Sequence, residues 1–377
     1  MKIGIVCYPT FGGSGVVATE LGMALAQKGH NVHFITYKQP VRLDLISNDI
    51  HFHEVFVEEY PLFHFQPYEL ALSSKIVEVV LANDLEILHV HYAIPHAYAA
   101  YMAKQMLHEK GIDIKVVTTL HGTDITLVGS HPNYKTAVEF SINNSDEVTT
   151  VSESLKKDTL RLFNIRKDIK VIHNFIDFEK YPEIHEAECQ RNSIAKDNER
   201  IITHVSNLRA VKRPVDVIKI FYKIQQEIPA KLLLVGEGPF REQIEILAKE
   251  LGIYDKILFL GNSNEVNKLL CYSDLFLLPS ETESFGLAAL EAMAARTPVI
   301  STNSGGLPEV NIQGVTGFLS DVGDTDAMAK NALYILENDE RLQEFKQNAL
   351  EQAKRFSLQN VLPAYKEVYR EVVTGCC

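Results

Sequence analysis

The chain has 377 residues, enough for two domains that each bury a core of their own. Hydrophobic residues make up 46% and charged residues 23%, and 49 acidic side chains against 37 basic ones leave a net charge of −12. That balance weighs against a nucleic-acid partner and against stable membrane association through a polybasic face, but it leaves room for one small basic pocket.

The opening MKIGIVCYPTFGGSG reads as a strand entering a glycine-rich turn and not as a signal peptide. No apolar run approaches the roughly 18 residues that a membrane-spanning helix requires. Strands are predicted over 2–8, 32–36, 51–57, 87–91, 115–119, 147–151 and 170–172, with helices over 14–28, 68–82, 95–109 and 153–163. A polar stretch follows, and 179–198 reads as a linker. The alternation then resumes: strand 201–205, helix 214–226, strand 231–235, helix 240–251, strand 257–260, helix 265–270, strand 275–278, helix 285–295 and strand 298–302. The final stretch, 325–373, reads as helical with a break at 356–357, and no repeat relates the halves. Continuous apolar strands separated by helices mark parallel sheets covered on both faces. The fold class is therefore α/β, with two Rossmann-like doubly wound domains in tandem. The five cysteines (Cys7, Cys189, Cys271, Cys376 and Cys377) form no C-x-x-C pair, which fits reduced thiols in a cytoplasm.

Open α/β sheets take ligands beyond the carboxyl ends of their strands, so two such domains facing a cleft would place their chemistry there. Gly12-Gly13-Ser14-Gly15 follows the first strand and opens a helix, where backbone N–H groups can meet an anion; the plainer reading is a tight turn. It is neither a P-loop nor G-x-G-x-x-G, and no acid ends the second strand to bind a ribose, so NTP hydrolysis and NAD chemistry lose support. His121 ends a strand in Thr-Leu-His-Gly-Thr-Asp, with Asp124 as a group to orient it or merely to satisfy it. His89 and His91, like His51 and His53, share a face, yet neither pair has a carboxylate or thiolate to complete a metal set, so no metal is expected. Arg209, Lys212 and Arg213 cluster after the first strand of the second half, where they suit a diphosphate better than a solvated helix start. Glu283 and Glu291 flank Ser284-Phe285-Gly286-Leu287 at a strand–loop–helix junction. There, N–H groups near a helix start at Phe285 can take phosphate or sugar oxygens, and Glu291, two turns inside, can accept a ribose diol.

Taken together, Glu283-x7-Glu291, the Gly12-Gly13 loop, His121 and the Lys212 segment resemble the retaining glycosyltransferases of family 4, which have the GT-B fold. Gly236-Glu237-Gly238-Pro239 and Gly305-Gly306-Leu307-Pro308-Glu309 add to the resemblance, which spans the chain. It implies an acceptor-binding domain over 1–175, a nucleotide-sugar domain over 176–356, and a last helix, 357–377, that crosses back. It also implies that His121, Lys212 and Glu283 are catalytic. Gly13, Asn207, Arg209, Lys212, Ser284, Phe285, Gly286, Leu287 and Glu291 would bind the donor. No cofactor or metal is implied. The family's usual Arg five residues before the phosphate lysine is here Asn207, so Arg209 or Arg213 would supply the second cation.

Within the family, HVHYAIPHAYAAYMAKQM, TTLHGTDIT, HNFID and SNLRAVKRP resemble the branch that joins N-acetylglucosamine from UDP-GlcNAc to the hydroxyl of L-malate, the first step towards bacillithiol. Ser14, Arg42, Tyr92, Thr119 and Asn174 would then hold the acceptor. The alternatives are a lipid or glycan acceptor, or a UDP-GlcNAc 2-epimerase. A lipid acceptor is disfavoured because the aromatic stretch 60–68 is flanked by Glu58, Glu59 and Glu69. A homo-oligomer is compatible with the sequence.

Overall fold

The computed structural model describes residues 1–10, 13–45, 47–58, 66–181, 191–263 and 265–375. Gly12, Cys189, Cys376, Cys377, the stretch 59–65 and residues 182–190 of the expected linker lie outside them. The chain forms two compact units: Met1–Asn174 with Gln359–Cys377, and Phe175–Leu358.

Unit 1 is a parallel sheet of β1 (Lys2–Val6), β2 (Asn31–Thr36), β3 (Ile50–Glu54), β4 (Ile87–His91), β5 (Lys115–Leu120), β6 (Glu147–Thr150) and β7 (Lys170–Val171). Its order is β3-β2-β1-β4-β5-β6-β7. The chain winds outward from β1 to β3, returns to the other side of β1, and winds outward again, so the switch point lies between β1 and β4. Ile3, Ile5, Val32, Phe34, Ile87, Leu88 and Val117 are fully buried, which is why these strands read as unbroken apolar runs. The helices are α1 (Ser14–Gln27), α2 (Tyr68–Asn83), α3 (Tyr98–His108), α4 (Pro132–Asn144) and α5 (Glu153–Leu162). The predicted helix over 95–109 is in fact a wide turn, Ala93–Ala97, followed by α3. The sequence reading did not identify α4.

Unit 2 repeats the plan with β8 (Arg200–Val205), β9 (Ala230–Val235), β10 (Ile257–Gly261), β11 (Leu275–Leu278), β12 (Val299–Thr302) and β13 (Gly317–Ser320), ordered β10-β9-β8-β11-β12-β13. Its switch point falls between β8 and β11. Its helices are α6 (Pro214–Glu227), α7 (Arg241–Glu250), α8 (Val266–Cys271), α9 (Leu287–Ala294), α10 (Leu307–Val310), α11 (Thr325–Leu336) and α12 (Asp339–Lys354). The last helix, α13 (Leu358–Thr374), buries Tyr365 and Tyr369 completely.

Three expectations change. The end of the chain breaks twice, because Asn338 accepts a hydrogen bond from Arg341 N at 2.8 Å and starts α12 afresh. β13 was not expected; Gly317 makes it possible, since a Cβ there would lie 1.8 Å from Val299 O on the paired strand. Residues 191–198 are not a free linker. Arg191 donates to Tyr272 O, Glu199 O and Asp274, while Ala195 and Ile194 pack with Ile201, Leu233 and Tyr272. Polar composition hid an anchored segment that carries one apolar face.

Candidate active site

In unit 1 the ends of β1 and β4 bracket the switch point. Gly13 stands at φ 60° and ψ −124° just before α1, and a Cβ on it would meet nothing within 4 Å. The backbone there is open on one side, in a conformation only glycine adopts readily. Gly15 does a different job: a Cβ would sit 2.5 Å from Tyr8 O, so its absence lets α1 close onto the turn. Ser14 Oγ and Tyr92 Oη share a hydrogen bond of 2.7 Å, joining the start of α1 to the end of β4. Tyr92 itself stands at φ 87°, a left-handed backbone that non-glycine residues adopt mainly where surrounding structure enforces it.

His91 ends β4 and His121 follows β5. Nδ1 of His91 and Nε2 of His121 lie 2.8 Å apart, with the rings stacked at 5.1 Å. Burial pushes His121 down to about 3 and holds His91 well below its ordinary range, so both rings are neutral. Asp124 does not orient the His121 ring. Its carboxylate accepts N–H bonds from Ala93 at 2.8 Å, Gly122 at 3.0 Å and His121 at 3.3 Å, tying the loops after β4 and β5 together. Burial raises Asp124 to about 6 in spite of those donors.

The other acceptor candidates differ in what they can reach. Thr119 is fully buried, its hydroxyl held by His89 Nε2 at 2.7 Å and Thr149 Oγ1 at 2.6 Å. Strand alternation turns it into the packing, so it supports the site and does not line it. Arg42 Nη1 bonds Glu20 Oε1 at 2.7 Å, so its charge is partly compensated by a buried acid of α1. Asn174 is 6% exposed, and its Oδ1 is buried without a partner. His89 binds Tyr369 Oη and Thr119 Oγ1 through its two nitrogens. Among the described residues, no group of three or more His, Cys, Asp or Glu is arranged to hold a metal ion.

In unit 2 the same topology brings together residues after β8 and β11. Lys212 Nζ lies 2.5 Å from Glu283 Oε1, which also accepts the Ser280 hydroxyl at 2.8 Å. Glu281 N donates to Val211 O at 2.8 Å, tying one loop to the other. Gly305 and Gly306 pass beneath: Gly306 N donates to Glu283 O at 2.8 Å, and a Cβ on Gly305 would lie 1.9 Å from that oxygen. Gly236 and Gly238 likewise run against the backbone of Ser206 and Leu208. Two glycine turns thus fix the loops that carry Asn207, Lys212 and Glu283.

α9 begins at Leu287 and not near Phe285, because Gly286 takes a left-handed φ of 96°. Phe285, 2% exposed, packs edge-to-face on Phe356 and offers a ligand only its backbone. Glu291 stands one turn inside the helix, not two. The N–H groups of Gly286, Leu287 and Ala288 precede the first intrahelical bond, Leu290 N to Gly286 O, and so point out of the helix start beside Ser284. Arg213, at φ 49°, donates to Asp216 at 2.5 Å and lies against Gly323. Arg209 and Asn207 are exposed, and among the described residues no ion pair engages Arg209. Sequence reasoning missed Ser280, which aims Glu283, and the pairing of His91 with His121. The first is one serine after an apolar strand; the second was visible only as His-x-His.

A family model described as Glycosyltransferase Family 4 matches residues 11–180, and one described as Glycosyl transferases group 1 matches 186–352. The chain is 48% identical over 374 residues to N-acetyl-alpha-D-glucosaminyl L-malate synthase of Bacillus anthracis, covering 99% of this chain and 97% of that one. It is 31% identical to the glycosyltransferase MJ1607 of Methanocaldococcus jannaschii, covering 84% of each. Anabaena HepE, solved with UDP-glucose, superposes with a TM-score of 0.81 at 20% identity, over 98% of this chain and 100% of that one, a likeness of fold. Two Rossmann-like units carrying these two matches in tandem make the chain a GT-B enzyme, and it belongs to the family 4 glycosyltransferases.

Proposed function

We propose that this enzyme transfers N-acetylglucosamine from UDP-GlcNAc to the hydroxyl of L-malate, with retention at the sugar carbon. The observation that carries the reading is 48% identity along 99% of the chain to the malate synthase of Bacillus anthracis. The site geometry is in keeping with it. Departure of UDP develops charge on the diphosphate, and stabilising that charge is the main task. Lys212 is assigned to the diphosphate. Arg209, exposed where Arg213 is tied to Asp216, is the preferred second cation. Gly13 and the N–H groups of residues 284–287 are assigned to phosphate or sugar oxygens, and Asn207 to the donor as well. Glu291 takes the ribose diol, and Glu283 and His121 the donor sugar. Ser14, Tyr92, Arg42 and Asn174 are assigned to malate, with Thr119 behind them.

In this reading the bond from the sugar carbon to the diphosphate oxygen breaks while the malate oxygen bonds to the same face. The malate hydroxyl proton passes to the departing phosphate oxygen. Protein cations carry the diphosphate charge, so turnover in EDTA stays within about twofold of that with added Mg²⁺. The cytoplasm is the compartment assigned, in keeping with the free thiols Cys7 and Cys271.

The test is mass spectrometry of products after incubation with UDP-GlcNAc and a panel of hydroxy acids, a lipid and a glycan. A malate adduct with an α-linkage is the expected product. An adduct with lipid or glycan alone overturns the acceptor, and UDP released with free sugar in the absence of malate points to epimerase chemistry.

A further inference from the structure

We propose that His91 is a positioning residue that fixes His121 as its Nδ1–H tautomer, making the nitrogen that faces away from His91 a hydrogen-bond donor. Nδ1 of His91 and Nε2 of His121 are in hydrogen-bond contact at 2.8 Å. Both rings are neutral, so each carries one proton and only one of them can donate in this contact.

Two arrangements satisfy the contact. If His121 donates from Nε2, His91 accepts at Nδ1 and must carry its own proton on Nε2. That atom is buried and has no partner, so the arrangement strands an N–H away from water. If His91 donates from Nδ1, the atom stranded at His91 Nε2 is only a lone pair. Orphaned buried donors are rarer and costlier than orphaned acceptors, so the second arrangement holds. His121 then accepts at Nε2, and its single proton sits on Nδ1. Among the described residues nothing hydrogen-bonds His121 Nδ1.

The surroundings keep His91 in place. Its ring lies 4.5 Å from that of His89 on the same face of β4, and His89 is held at both nitrogens, by Tyr369 Oη and Thr119 Oγ1, each at 2.7 Å. His96 Nδ1 donates to His91 O at 2.5 Å and fixes the backbone. Two hydroxyls and two imidazoles therefore stand behind a single N–H. The consequence rests on the reading of His121 as a contact to the donor sugar. In this tautomer His121 donates to a sugar or phosphate oxygen and cannot serve as a base at Nδ1.

The experiment reads the tautomer directly. In ¹⁵N-labelled ligand-free enzyme at pH 7.5, a long-range ¹H–¹⁵N correlation identifies His121 by the signals lost in His121→Asn. The expected pattern is a protonated Nδ1 and a bare Nε2. His91→Asn, whose amide N–H stands where Nδ1 stood, keeps that pattern. His91→Leu removes the donor, mixes the tautomers and lowers kcat about tenfold, with the malate KM changed less than about twofold. A protonated Nε2 in the wild type, or a His91→Leu enzyme with unaltered tautomer and kcat, overturns the proposal. The spectrum needs no substrate. An enzyme that shows the expected tautomer but makes no malate adduct therefore overturns the reaction reading and upholds the tautomer.

Discussion

At the scale of single residues, the proposed function makes the contact between Lys212 and Glu283 the one that the donor would have to rearrange. Lys212 pairs with a carboxylate that Ser280 also holds. In the proposed reading a diphosphate would compete for the same ammonium, and in the transition state its developing charge would win the larger share. Lys212→Ala should therefore lower turnover by about 10²- to 10³-fold while leaving the malate KM within about threefold, measured by UDP release. An unchanged rate would remove Lys212 from the diphosphate. Arg209, the proposed second cation, is exposed, so salt should screen any contribution it makes to the donor. Arg209→Ala should raise the UDP-GlcNAc KM several-fold at low ionic strength and much less at 0.5 M KCl, a salt dependence that a buried pair would not show (Debye length roughly 10 Å at 0.1 M). Lys212 was legible because strand-end cations stand out in so acidic a chain, and Glu283 because it falls at a strand–loop–helix junction. Ser280 and the His91 pairing were not, since both depend on where a neighbouring strand end falls in space.

At the scale of elements, glycine turns set the spacing of the site. Gly305 and Gly111 have similar backbone angles, φ 62° and φ 78°, but a Cβ would meet nothing within 4 Å at Gly111 and would sit 1.9 Å from Glu283 O at Gly305. Gly111→Ala should cost only the left-handed strain, about 1 kcal/mol. Gly305→Ala must also displace the loop bearing Glu283, so it should cost about 3 kcal/mol or more and weaken UDP binding at least tenfold. Thermal melts with UDP titration separate the two; equal losses would mean that the close approach carries no weight. The longer elements were legible for a related reason. Strands buried on both faces, such as Ile87–His91 and Leu275–Leu278, read as unbroken apolar runs with sharp ends. α10 and β13, four residues each, are too short to show a period. The anchored segment 191–198 has its partners, Tyr272 and Asp274, some eighty residues away.

At the scale of the whole molecule, the two units should differ in their response to acid. In unit 1, burial lowers His33 to about 4, His89 to about 3, His96 to about 4 and His121 to about 3, with His53 and His91 also lowered. In unit 2, among the described residues, only His204 is lowered in this way, to about 4. Each lowered histidine stays neutral in the folded state but takes up a proton in the unfolded chain once the pH falls below about 6.5. The unfolded state then binds more protons, so stability falls with pH. The loss begins near pH 6.5 and continues until the folded value is reached, at about 1 kcal/mol per pH unit for each group. Asp124, raised to about 6, works the other way: folded unit 1 takes up its proton between pH 6 and 4, which offsets one histidine of the set. The balance still leaves unit 1 far more sensitive than unit 2. Thermal unfolding at pH 7.5 and 5.5, followed by limited proteolysis with mass mapping, should show peptides from residues 1–174 released well below those from 200–355 at the lower pH. Release of unit 2 peptides first, or midpoints that do not move between the two pH values, would mean that the buried imidazoles of unit 1 do not control its stability.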